Sequence, residues 1–204
     1  EPYEDSAIAY QFNSEDGDVS SQIKALSEDE RLDCLNKAWR NFIISDGFEP
    51  GSTYKTFTIS GAIEDGALKG DETFFCGGNL KVADTTINCH NHSGHGQVNI
   101  EQSLMQSCNV ALMQIAETEG RKTFAKYQEV FGFGKTTHVD LAGEAAGLVY
   151  PEEKLNPVEL ATSSFGQGLT VTMMQIGTAF CSVINGGNYY EPHVVKQIQD
   201  DNGN

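Results

Sequence analysis

The sequence predicts a mixed α/β domain, mostly helical and with an incomplete sheet, on three observations. Apolar residues recur at helical spacing in several long stretches, and glycine-rich, short-strand text fills Leu68 to Val98. Val194-Val195-Lys196-Gln197-Ile198 is the one strong strand signal near the end. The 204 residues, 39% of them hydrophobic, suffice for one or two domains with a real core.

Taken in order, Glu1 to Ser21 is acidic and polar with few apolar residues, and reads as a surface approach segment. Ser27-Glu28-Asp29-Glu30 has the form of a capping box, after which Leu32, Leu35, Ala38, Trp39 and Phe42 recur as an inward aromatic and aliphatic stripe. The turn Pro50-Gly51 breaks the chain, and a helix is expected from Ser52 to about Glu64 with Phe57, Ile59 and Ile63 in the core, ending near Gly66.

Asn99 with Gln102 caps the next helix, which carries Leu104, Ala111, Leu112, Ile115 and Ala116 and stops at Gly120. Phe124, Tyr127 and Val130 pattern another from Arg121. Thr172 and Gln175 open the last, which buries Met173, Ile176, Ala179, Phe180 and Val183 before Asn185-Gly186-Gly187. No internal repeat is visible.

The formal net charge of −16 argues against nucleic acid and against an anionic membrane surface as direct partners. No run of 18 or more apolar residues exists, so no membrane span is expected and the chain itself should be soluble.

Chemistry concentrates first at Ser52-Thr53-Tyr54-Lys55. Residues three apart on a helix share a face, which brings Lys55 within reach of the Ser52 hydroxyl. Burial and the positive helix N-terminus both favour a neutral lysine able to act as a base, while the free N–H groups of the first turn can receive an oxyanion. Spacing alone is weak evidence: Ser21-Gln22-Ile23-Lys24 has it too, without a preceding Pro-Gly turn.

A second constellation is Ser107-Cys108-Asn109, which interrupts the helical pattern between Leu104 and Leu112 and occurs once. Together the two motifs, with Trp39-Arg40-Asn41, Gly94-His95-Gly96, Phe131-Gly132-Phe133-Gly134, Asp140-Leu141, Gly143-Glu144, Phe165-Gly166-Gln167-Gly168 and Asn185-Gly186-Gly187, resemble the transpeptidase domain of penicillin-binding proteins from about Trp39 onward. The wording is most similar to the monofunctional, class B enzymes of cell division or sporulation.

That resemblance implies the serine β-lactamase/D,D-peptidase-like fold and a D,D-transpeptidase that cross-links peptidoglycan stem peptides ending in D-Ala-D-Ala. By the same resemblance, Ser52 is the nucleophile, Lys55 its base, Ser107 a proton relay to the leaving amine, and Asn109 a holder of lysine and substrate amide. β-Lactams would acylate Ser52, and neither metal nor organic cofactor is required. The resemblance further implies a parent protein anchored on the extracytoplasmic face of the bacterial membrane, with cell-wall synthesis partners.

The family's third motif, Lys-Thr-Gly or Lys-Ser-Gly, would follow the Asn-Gly-Gly region, so residues 1–204 are expected to be a partial transpeptidase domain without the N-terminal anchor and C-terminal part. Lys135-Thr136-Thr137 lies too early and lacks the glycine. The missing strand would supply a second oxyanion donor, and one such donor is worth about 10²–10³ in rate; a catalytically incomplete fragment is the non-enzymatic alternative. A serine β-lactamase is another, because Glu152-Glu153-Lys154-Leu155-Asn156 matches the Glu-x-x-Leu-Asn pattern of class A enzymes.

Five cysteines stand at positions 34, 76, 89, 108 and 181. Cys76 and Cys89 bracket the glycine-rich loop and admit three readings: a disulfide worth about 3 kcal/mol, free thiols, or zinc ligands together with His90, His92 and His95. Cys108 reads as filler inside its triplet.

Overall fold

The computed structural model of the protein describes residues 2–12 and 17–200, with side chains from Ser6. The chain forms two compact units, Glu1–Phe42 and Ile43–Asn204.

In the first unit, helices α1 (Pro2–Ala9), α2 (Val19–Ala25) and α3 (Glu28–Trp39) enclose Ile8, Ile23 and Leu35. The stretch expected to be a polar approach is therefore largely helical, with Ile8 fully buried. The Ser27/Glu30 capping box opens α3 as predicted. The inward stripe is a correction: within α3 only Leu35 is buried, while Leu32 and Trp39 are 55% and 57% exposed. Two buried isoleucines and a few half-buried neighbours supply too little apolar surface to enclose an indole.

The second unit is built around α5 (Lys55–Glu64), which packs against α7 (Asn109–Glu119) and α8 (Arg121–Val130), while α7 also packs against α9 (Pro157–Ser163). Short α4 (Phe42–Ser45) precedes this group, and α6 (Ile100–Met105) and α10 (Met173–Ile184) complete the helices among the described residues. Thr172 and Gln175 form a reciprocal capping box on α10. Two of its expected core residues differ in fate: Ala179 is buried, whereas Met173 in the open first turn is 47% exposed. Ile63 is likewise 48% exposed, one residue before α5 ends.

Two apolar clusters flank α5. One joins Ile59 and Ala62 to Leu112, Ile115 and the strands. The other is aromatic, with Phe57 5.0 Å from Phe133, 5.1 Å from Phe131 and 4.8 Å from Phe180 between ring centres, distances suited to offset and edge-on ring contacts.

The glycine-rich region yields four short strands in two antiparallel pairs. β1 (Thr73–Cys76) pairs with β4 (Gly96–Asn99), Cys76 opposite Gly96, and β2 (Asn79–Val82) pairs with β3 (Thr85–Asn88) inside that loop. Ala83 turns the inner hairpin at φ +51°. The expected strand at 194–198 does not form: the amides of Val194 and Val195 instead donate to the Asp140 carboxylate at 2.8 Å each, and Ile198 is 87% exposed. Among the described residues no neighbouring strand offers those amides a ladder.

Candidate active site

Pro50 lies at φ −70°, and Gly51 at φ +55° opens a 3-10 turn, Gly51–Tyr54, that runs directly into α5. Side chains three apart eclipse in 3-10 geometry. Exposed Ser52 therefore stands over Lys55, the first residue of α5, whose side chain is only 1% exposed. The helix predicted from Ser52 thus begins as a tighter turn.

Ser107 and Asn109 arrive from the break between α6 and α7. Ser107 adopts φ +52°, a left-handed conformation costly for a residue with a Cβ. The chain then re-enters a helix with Cys108 as N-cap and Asn109 as first residue. This reversal aims both the carbonyl and the hydroxyl of Ser107 at Lys55.

Lys55 Nζ donates to Ser107 O at 2.6 Å, Ser107 Oγ at 2.8 Å and Asn109 Oδ1 at 2.7 Å, which occupies its three donors. Ser107 Oγ in turn donates to Ser52 Oγ at 2.7 Å. Ser107 thus bridges the serine and the lysine, a link that spacing alone did not reveal. Burial lowers the Lys55 pKa to about 8, the nearby Cys89 and Cys108 sulfurs acting in the opposite sense. At that value about a tenth of the lysine is neutral at pH 7.

The Gly51–Tyr54 turn is held by residues far along the chain. Gly51 N donates to Gly166 O at 2.9 Å, Gly168 N to Glu49 Oε1 at 2.9 Å, and Thr58 Oγ1 to Ser164 O at 2.8 Å. Phe48 and Val171 exchange backbone hydrogen bonds at 2.9 and 3.0 Å. Gly166 sits at φ +80°, where an added Cβ would lie 2.2 Å from Gly51 O. This positioning role of Phe165-Gly166-Gln167-Gly168 was not evident from spacing; the two glycines were its only local signal.

Glu152 lies elsewhere. It is exposed, in a short 3-10 turn (Glu152–Lys154), and lines a cavity of about 740 Å³ with Lys126, Lys135 and Tyr150, to which none of Ser52, Lys55, Ser107 and Asn109 contributes. A deacylating glutamate needs water beside the nucleophile, so the placement removes the support for a β-lactamase.

Of the three sequence readings of Cys76 and Cys89, the structure holds the free-thiol one. Cys76 and Cys89 are not joined by a disulfide; both are buried thiols. His90 and His92 are exposed and stand outside the cluster of possible ligands, whereas Cys108 belongs to it: one ligand atom from each of Cys76, Cys89, His95 and Cys108 lies within 4.8 Å of the others. The reading of Cys108 as filler is thus corrected; it is far from the other two cysteines in sequence and only the fold brings it to them.

A family model described as the penicillin binding protein transpeptidase domain matches residues 4–204. Stage V sporulation protein D of Bacillus subtilis is 37% identical over 163 residues, 79% of this chain and 25% of that protein. Peptidoglycan D,D-transpeptidase FtsI of Buchnera aphidicola is 30% identical over 199 residues, 94% of this chain and 34% of its own length. The chain thus spans between a quarter and about a third of these relatives. Among solved structures, the TP domain of Burkholderia pseudomallei penicillin-binding protein 3 superposes with a TM-score of 0.72 at 26% identity, over 80% of this chain and 48% of that one. The mixed helical and small-sheet fold agrees with that neighbour, and the chain belongs to the penicillin-binding protein transpeptidase domain family.

Proposed function

We propose that this chain carries the serine acyl-transfer site of a peptidoglycan D,D-transpeptidase. The observation that supports the reading best is the hydrogen-bonded series Lys55 Nζ, Ser107 Oγ, Ser52 Oγ, with steps of 2.8 and 2.7 Å.

With Lys55 neutral, the two hydroxyls reorient, and the Ser52 proton passes to Ser107 while that of Ser107 passes to Lys55. Ser52 Oγ attacks the carbonyl of the penultimate D-alanine of a stem peptide. The Ser52 N–H, in the first turn and without an intrahelical acceptor, is one oxyanion donor. As the C–N bond breaks, Ser107 returns a proton to the departing D-alanine amine and is reprotonated by Lys55. An acceptor amine then attacks the ester, forms the cross-link and restores Ser52. Asn109 holds Lys55 at 2.7 Å and directs its remaining amide atoms to the donor peptide.

β-Lactams present a strained amide of the same shape and acylate the same oxygen. The substrate lies outside the cytoplasm, which places the parent protein on the extracytoplasmic face of the membrane, tethered there beside its cell-wall synthesis partners. Among the described residues no helix is long and apolar enough to cross a membrane.

Incubation with benzylpenicillin followed by intact-mass measurement tests the reading. A stable adduct is expected on the wild-type chain and none on Ser52→Ala. A folded wild-type sample that gains no mass refutes acylation, and an adduct surviving in Ser52→Ala refutes the nucleophile.

A further inference from the structure

We propose that the cavity between the β2–β3 hairpin and helices α7 and α9 binds a long-chain carboxylate, with its alkyl chain on the apolar floor and its head at Lys81 and Arg121.

Local chain geometry opens this space. Ala83, at φ +51°, turns the hairpin so that half-buried Leu80 and Val82 of β2 pack against the core cluster that includes α7. Gly120, at φ +80°, separates α7 from α8 and leaves Arg121 as the first residue of α8. Helix α9, opened by Pro157, packs against both α7 and β2. The cavity that these elements enclose between them measures about 560 Å³, within the roughly 300–1,000 Å³ of pockets that bury most of a small ligand.

Its floor is apolar. Met113, Leu155 and Ala161 line it and are buried. Met113 and Ala161 belong to one of the two apolar clusters that flank α5, and Leu155 belongs to the other, so the cavity opens at their seam. An alkyl chain laid there takes apolar surface out of water on both sides.

The lining also selects the class of ligand. Only Lys81, Glu117 and Arg121 among the lining side chains carry a strong hydrogen-bonding group. A peptide would bring an N–H and a C=O with almost every residue, groups that cost free energy when buried without partners. An alkyl chain brings none.

Charge selects the head. Lys81 and Arg121 are exposed and enter no ion pair among the described residues. Glu117 offsets one of the two cations, which matches a head with a single negative charge. A net charge of −16 repels anions from most of the surface, so a local excess of positive charge is what admits one here. The Arg121 guanidinium can present paired N–H groups to a carboxylate. None of Ser52, Lys55, Ser107 and Asn109 lines this cavity, and the proposal does not depend on the serine chemistry.

Isothermal titration calorimetry of the chain with laurate, kept below its micelle concentration, is the test. One laurate per chain is expected. Decanoate, two methylenes shorter, should bind about tenfold more weakly. Dodecyltrimethylammonium, with the same chain length and a cationic head, should also bind about tenfold more weakly than laurate. The double variant Lys81→Glu, Arg121→Glu changes two exposed side chains, so its fold should persist, and its laurate affinity should fall about tenfold. Ser52→Ala should bind laurate as the wild type does. A folded wild-type chain that takes up no laurate, or takes up many molecules without a defined stoichiometry, overturns the proposal. Equal affinity for laurate and decanoate overturns burial of the chain, and an unchanged laurate affinity in the double variant overturns recognition of the head. Loss of binding in Ser52→Ala would place the ligand at the serine and overturn the proposed site.

Discussion

Ser107 Oγ lies 2.7 Å from Ser52 Oγ while accepting a 2.8 Å bond from Lys55, so one hydroxyl stands between the Ser52 oxygen and the Lys55 amine. Ser107→Ala should break proton transfer and leave the nucleophile in place. Acylation by a fluorescent penicillin should slow about 10²–10⁴-fold, with the adduct still forming on Ser52. A rate within threefold of wild type would mean that Lys55 takes the proton without the bridge.

Because burial lowers the Lys55 pKa to about 8, the ammonium predominates below that value and the free amine above it. The acylation rate should rise about tenfold per pH unit through the acid range and level off above about 8. A stopped-flow pH profile checks this; a flat profile from pH 6 to 9 contradicts a lysine base.

Glu119 is buried at the end of α7 with neither carboxylate oxygen hydrogen-bonded, close to Gly61, and burial followed by the charge of Asp65 raises its pKa from 4.5 to about 8. Below 4.5 folded and unfolded chains are both protonated there. Between 4.5 and about 8 only the unfolded chain has lost the proton, so stability falls as pH rises, then levels off. Glu119→Gln should therefore raise Tm clearly at pH 8.5 and little at pH 4.5, read by scanning calorimetry at both values.

Gly166→Ala introduces a methyl 2.2 Å from Gly51 O at a positive φ. A loss of about 2–4 kcal/mol is expected in urea unfolding. Acylation should fall as well, since the displaced atom belongs to the residue before Ser52. Gly177→Ala, at a helical position with open space around the new carbon, is the control and should be neutral or slightly stabilising.

Much of this site could be read from the chain because its strongest signals are local. Caps at Ser27, Asn99 and Thr172 use bonds within three residues, and Ser52 with Lys55 needs only one turn. Illegible parts depend on distant partners. Val194 to Ile198 has strand propensity but no neighbour to pair with, and Trp39 has helical spacing but too little surface to cover it. Cys108 joins its cluster through a fold-level convergence of strand ends and a helix cap, and Ser107 becomes a bridge because of a single left-handed residue. Neither has a periodic trace.

The clasp around the Gly51–Tyr54 turn sets a timetable for its assembly. Glu49 and Gly168 are 119 residues apart, and Phe48 reaches forward to Val171. Such long closures form late, after local helices, because the chain entropy lost must be recovered by contacts not yet made. On the ribosome, synthesised at about 5–20 residues per second, Ser52 emerges many seconds before the segment that secures it. The turn that carries Ser52 is therefore secured only once the chain has been made as far as Val171.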